Sequence, residues 1–276
     1  MTGVQTCALP IYANAVSLKT TSQILQARVL VNLGQHATAA TLVSTVADAY
    51  SDQVMTYSLT SGDNQIWALN TSAKRWTVGD SMDASGVIGN AIPFASSGDP
   101  RLKITGSTLG TSAAGKGFDG STNFITNNLW ARSDAAIIAS GLDARLIQAE
   151  AKLKAADYPG MMTILNALRT APPKLTATNV TTAFTPPAMA AIATTPTTAT
   201  DAAKLFFREK AFWTFGRGQR LGDLRRMIRQ YGFTQDQVFP TGTFFKGGTY
   251  GTDVNFPITT DEYNNPNYHG CTDRKA

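Results

Sequence analysis

Residues 216–226 read GRGQRLGDLRR, a stretch in which glycines, arginines and one aspartate alternate. Three chemistries use such a mixture: a phosphate cradle, a nucleic-acid patch, or a corner between two helices. A dinucleotide loop needs G-x-G-x-x-G between a strand and a helix. Here Gly216, Gly218 and Gly222 give one residue too many, the preceding LFFREKAFWTF is helical in pattern, and no P-loop lysine follows. Arg217, Arg220, Arg225, Arg226 and Arg229 could touch phosphates, yet no nucleic-acid reading module surrounds them, so nucleic acid is not an expected partner. The corner remains. Leu205 and Phe212 lie two helical turns apart with Arg208 and Glu209 between them, and Leu221, Leu224 and Ile228 mark the inward face of the next helix. A carboxylate on an apolar stripe must be neutralised, and the planar guanidinium does so bidentately. Glu209 and Asp223 are therefore expected to be paired by members of Arg208, Arg217, Arg220 and Arg226, locking two helices at a glycine corner.

Catalysis finds little support. Spacing suggests no Ser/His/Asp set, and His36 and His269 read as a turn residue and a tail residue. No local pattern selects a carboxylate pair for glycoside hydrolysis, so a polysaccharide-acting hydrolase is a rival reading without a motif. Cys7 and Cys271 lie near opposite ends and form no thiolate spacing, so neither a metal centre nor a cofactor is expected. Asp261, Glu262, Asn264, Asn265 and Asp273 could hold a hard cation, but their spacing misses the twelve-residue loop pattern and favours turn and capping roles. The richer chemistry is in the loops. Trp67, Trp76 and Trp130, with Asn64, Asn70, Arg75 and Asn128, offer aromatic platforms and hydroxyl partners of the kind that bind a sugar.

The elements that must position these residues follow from periodicity. Ile24, Ala27 and Val31, then Ala39, Leu42, Val43, Val46 and Tyr50 after Gly34, mark a helical hairpin over 12–50. Leu142, Leu146, Ala149 and Leu153, then Met161, Ile164, Leu165 and Leu168, repeat the design within 136–170. Placing Gln26-Ala27 on Gln148-Ala149 superimposes the two hairpins without a gap, so they read as helix pairs of the tetratricopeptide kind. Between them, 51–135 is rich in Gly, Ser, Thr and Asn, with short strands expected at NQIWALN and NFITNNLW. A Pro/Thr/Ala connector spans 171–200, a final helical pair 201–231, and an extended tail 232–276. The expected fold is mainly α, tetratricopeptide-like helix pairs with a loop-rich insert containing short strands.

Composition agrees with a globular chain. Of 276 residues 43% are hydrophobic and 16% charged, and the net charge of +5 resides in 208–229, so a basic pI reflects one local cluster and not a long-range field. No apolar run approaches the roughly 18 residues of a membrane span. Residues 1–11, MTGVQTCALPI, lack the basic and apolar regions of a signal peptide, resemble a translated sequencing-adapter peptide, and are set apart from the expected domain at 12–276.

FFREKAFWTFGRGQRLGDLRR, followed by VFPTG, YGTDVNFPI, DEYNNPN and GCTDRKA, resembles the carboxy-terminal part of the SusD/RagB family, and the resemblance extends upstream through DPRLKI and SGLDARLIQAEAKL. Members of that family are lipid-anchored, surface-exposed nutrient binders that partner TonB-dependent outer-membrane transporters. The resemblance implies a SusD-like fold, non-catalytic binding of an oligosaccharide or other small nutrient, a SusC-like TonB-dependent transporter as partner, and an outer-membrane, cell-surface location. It also implies a signal peptide, an acylated cysteine and first helical repeats that have no counterpart in this sequence, so the chain is expected to be an amino-terminally truncated portion. The rival of a different class is a helical-repeat scaffold that binds a protein and no glycan.

Overall fold

The computed structural model describes residues 15–52, 57–58, 60, 62–106, 115–175, 184–251, 253–256 and 258–269. Residues 1–11, Cys271, Asp273 and the GCTDRKA motif lie outside them. The described chain is mainly helical, with two small antiparallel sheets. It divides into two compact units, one from Met1–Asn64 and Trp130–Ala193, the other from Gln65–Leu129 and Thr194–Ala276. The loop-rich stretch expected over 51–135 is thus shared out: its ends belong to the first unit and its middle to the second.

In the first unit, α1 (Ala15–Asn32) buries Thr21, Ile24, Ala27 and Val31 along one stripe. Gly34, at φ 77°, makes the turn that a side chain would strain. Next comes α2 (His36–Leu42), which stops eight residues short of Tyr50, where the apolar stripe was expected to carry it. The hydroxyls explain the early stop: Thr41 Oγ1 donates to the Ala37 carbonyl and Ser44 Oγ to that of Thr41, while the Ser44 and Val46 amides close three-residue turns. Val43 and Val46 are buried nonetheless, from a turn and not from a helix.

The second hairpin is α4 (Gly141–Lys154) and α5 (Tyr158–Thr170), whose N-cap Asp157 accepts from the Gly160 amide at 2.8 Å. α1 packs on α2, α2 on α4, and α4 on α5, around Ile24, Ala27, Val43, Ala139, Ala144 and Ile147. Ala27 and Ala149, the residues that align the two hairpins, are both fully buried. Gly141 opens α4 where a Cβ would lie 2.4 Å from the Ala47 and Asp48 carbonyl oxygens. The described part of the Pro/Thr connector is held extended by side chains of α5: Asn166 brackets Ile192, accepting from its amide at 2.7 Å and donating to its carbonyl at 3.2 Å, and Arg169 Nε donates to the Ala190 carbonyl.

In the second unit, NQIWALN is not a strand. Gln65–Trp67 form a helical turn, α3, which widens into a π turn over Ala68–Ser72. The reason is Asn70: its side-chain NH₂ donates to the Trp76 and Ile125 carbonyls and its Oδ1 accepts from the Asn127 amide, so a polar anchor sets the turn. β1 (Met82–Asp83) pairs with β2 (Gly86–Val87), and β3 (Ile104–Gly106) with β4 (Ile125–Asn127), the last lying within NFITNNLW as expected. Helix α6 (Ala199–Trp213) is capped by Thr198 and packs on α7 (Arg220–Tyr231). Gly216 and Gly218 make the corner at φ 71° and 70°, which accounts for both glycines. A 3₁₀ turn (Gln235–Gln237) and the short α8 (Thr260–Tyr263) complete the unit.

Candidate functional site

The charge network of the corner includes members outside the expected set. Asp223, 1% exposed, accepts at Oδ1 from Lys210 Nζ and Arg226 Nη2, each at 2.8 Å. Arg226 was expected there; Lys210 was not, although it sits beside Glu209 on α6. The carboxylate of Glu209 meets Arg101, which was outside the expected set: Nη1 reaches Oε2 at 2.7 Å and Nη2 reaches Oε1 at 3.2 Å. The same guanidinium grips Asp99, at 2.8 Å from Nε and 2.6 Å from Nη2, and lies 4.9 Å from the rings of both Phe212 and Trp213. Burial pulls its pKa down, but Asp99 and Glu209 outweigh burial and hold it above the ordinary arginine value. DPRLKI carries the only sequence signal for this arginine, and nothing local connects it to a partner 108 residues away. Arg208 is exposed, its guanidinium 5.4 Å from the Phe212 ring, and Arg217 is half-buried at the glycine corner. On α7, Met227 is buried, whereas Leu221 and Ile228, expected inside, are half-buried. Leu224 is buried as expected, and with Met227 it shares the inward face with Asp223 and Arg226 of the charge network.

The seven loop residues expected to meet a ligand are divided between the two units. Asn64 and Trp130 belong to the first unit and the other five to the second. Asn64 and Asn70 are fully buried and committed to backbone: Asn64 Nδ2 donates to the Asp134 carbonyl at 2.7 Å, and Asn70 anchors the π turn. Trp130 is buried, while Trp67 and Trp76 are half-buried. Asn128 Nδ2 donates to Thr105 Oγ1 at 2.7 Å. Arg75 is exposed, its guanidinium 3.9 Å above the Phe118 ring. None of the seven lines the cavity described next.

A cavity of about 780 Å³ opens in the second unit. Its apolar wall comes from Val78, Ile88, Ile92, Phe94, Leu224 and Val238, residues drawn from four separate segments. Phe245 and Tyr250 add aromatic surface, and Asp80, Asp83, Lys116, Asn123 and Arg220 add polar groups. Hydrogen bonds tie the lining segments together. Asn90 Nδ2 donates to the Asp236 and Phe239 carbonyls at 2.6 and 2.9 Å, which ties down the segment leaving the 3₁₀ turn. Gly89 bridges Thr241 so closely that a Cβ would lie 2.3 Å from Thr241 Oγ1. Asp80 Oδ1 gathers the Ser81 amide and the Ser96 hydroxyl, both at 2.7 Å. Burial alone would raise the pKa of Asp83, but hydrogen bonds from Ser85 and Tyr250 prevail and hold it below the usual carboxylate range. Tyr250 moves the other way, raised first by burial and then by the Asp83 charge. Apolar walls with a few fixed polar groups suit a small ligand. Periodicity could not have found this site, because its apolar residues come singly between turns.

Other polar clusters are accounted for locally. Thr259 caps α8 toward the Glu262 amide, Asn265 Oδ1 accepts from the Asn267 amide, and Asn265 Nδ2 donates to Glu262 Oε1, so these tail residues bond within the turn. Among the described residues no group of three or more His, Cys, Asp or Glu is placed to hold a metal ion, and no helix is long and apolar enough to cross a membrane. Searches of protein-family models, curated proteins and solved structures find no match to this chain.

Proposed function

We propose that this chain is a non-catalytic binding protein of the SusD/RagB kind, its helix pairs stacked in the tetratricopeptide manner. It captures a small extracellular nutrient, an oligosaccharide in the first instance, at the outer-membrane surface for delivery to a SusC-like TonB-dependent transporter. The observation that carries the reading is the cavity of the second unit. It is large enough for a ligand of several rings, it presents Phe245 and Tyr250 for stacking, and Asp80, Asn123 and Arg220 can meet hydroxyls. Residues outside the originally expected aromatic set therefore make the contact. The motif resemblance around the arginine corner, which builds one wall of the cavity through Arg220 and Leu224, supports the same reading.

Calorimetric titration with a panel of neutral oligosaccharides tests it. Binding is expected for at least one glycan, to be abolished by Leu224→Trp, which fills the cavity, with no new reducing ends released. Silence across the panel, or binding that ignores Leu224→Trp, would count against the proposal. Release of reducing ends would transfer the protein to the hydrolases.

One observation favours the scaffold reading. Leu18, Leu25, Val29 and Leu33 of the first unit are 48%, 38%, 57% and 66% exposed. A protein partner that bound this surface would be released by Val29→Glu with glycan titrations unchanged, and loss of glycan binding in that variant would speak against the two being separate.

A further inference from the structure

We propose that the cavity of the second unit selects small organic monocarboxylates with an apolar body, Arg220 supplying the fork that takes the carboxylate. This rests on the reading of the cavity as the small-nutrient site and names for it a ligand class other than the oligosaccharide.

Four charged side chains line the cavity: Asp80, Asp83, Lys116 and Arg220. Three are engaged by neighbours. Asp80 accepts from Ser81 and Ser96, Asp83 from Ser85 and Tyr250, and Lys116 Nζ donates to Asn123 Oδ1 at 2.7 Å. Arg220 differs. It donates no hydrogen bond to any described residue, and the one charge acting on it is Asp223. That carboxylate accepts from Lys210 and Arg226 at Oδ1, and its Oδ2 accepts no hydrogen bond, from Arg220 or any other described residue. Burial pushes the Arg220 pKa down and Asp223 does not restore it, as befits a cation drawn partly out of water without compensation.

A guanidinium carries five N–H donors in a fixed plane, and leaving them unmet away from bulk water is costly. A carboxylate meets two of them at once in the geometry the fork favours. One helical turn beyond Arg220 on the same wall stands Leu224, continuous with Val78, Ile88 and Val238, a surface for an apolar body. Asp80 and Asp83 share the cavity and repel a second anionic group on the ligand. The expected ligand therefore has one anionic end and an apolar remainder.

The experiment compares 4-phenylbutyrate with its neutral isostere 4-phenylbutanamide by calorimetry on the full chain, in the native sequence and in Arg220→Gln, Arg220→Lys and Leu224→Trp. The acid is expected to bind about tenfold or more tightly than the amide, the worth of charge-assisted hydrogen bonds. Arg220→Gln should erase that preference, Arg220→Lys should keep part of it, and Leu224→Trp should abolish both ligands. Thermal melts of Arg220→Gln should equal or exceed those of the native chain, since no hydrogen bond is lost and an uncompensated cation is removed. Equal affinity for acid and amide, no binding of the acid, or a preference that survives Arg220→Gln would each overturn the proposal. Neutral oligosaccharides bound in any of those cases would leave the nutrient reading standing. Silence from oligosaccharides with the acid still bound would remove the glycan reading and keep this one.

Discussion

Arg101→Ala is the substitution whose effect the structure fixes best. The side chain is 1% exposed and holds two carboxylates, that of Asp99, 14% exposed, and that of Glu209, 6% exposed. Truncation removes the Arg101 donors from the Glu209 carboxylate, which lies where water does not reach it. Removing one member of a buried pair costs about 3–5 kcal/mol, most of it from the stranded charge, whereas an exposed pair is worth about 1 kcal/mol or less. For a chain of this size the larger figure corresponds to a fall of about 10 °C in the unfolding midpoint. Urea unfolding followed by circular dichroism measures it, with Arg101→Ala repeated in a Glu209→Gln background. The loss should be smaller there, because a neutral amide replaces the stranded charge, giving a coupling of about 1–3 kcal/mol. A loss below about 1 kcal/mol, or a cycle that is additive, would refute the assignment of Arg101 as the buried partner of Glu209.

Gly141→Ala should destabilise the first unit by about 1–3 kcal/mol, because the new Cβ meets the Ala47 and Asp48 backbone and neither oxygen can swing aside. An unchanged or raised urea midpoint would contradict that close approach. Asp157 predicts a pH effect. The Lys152 hydrogen bond, followed by that of the Gly160 amide, lowers its folded pKa below the ordinary 3.8. The unfolded chain therefore takes up the proton first, and this contribution to stability, present above about pH 4, is lost as pH falls through the folded value. Asp157→Asn keeps the cap and removes the titration, so its melting temperature should fall less between about pH 5 and about pH 2 than that of the native chain. Parallel curves would show that the pair contributes nothing.

Helix positions were readable wherever an apolar stripe recurred at 3.6 residues, as in α1, α4 and α5, and the glycine corner was readable because Gly216 and Gly218 need a backbone that other residues resist. Reading failed where a polar side chain overruled the pattern. Asn70 turned NQIWALN into a helical and π turn, and hydroxyls at Thr41 and Ser44 ended α2. Trp130 is a case of a related kind. Its size suggested a ligand platform, and it is buried in the first unit.

By itself the sequence determined the local backbone: which segments coil into helices, where the chain must turn, and that Glu209 and Asp223 on apolar stripes require cationic partners. Only the tertiary structure decided which cations arrive. Arg101 reaches Glu209 across 108 residues, and Lys210 joins Arg226 on Asp223, leaving Arg220 to the cavity. Hydrogen bonds between neighbours in the chain impose a period that can be read, whereas a contact between distant segments depends on how whole elements pack and leaves no spacing behind.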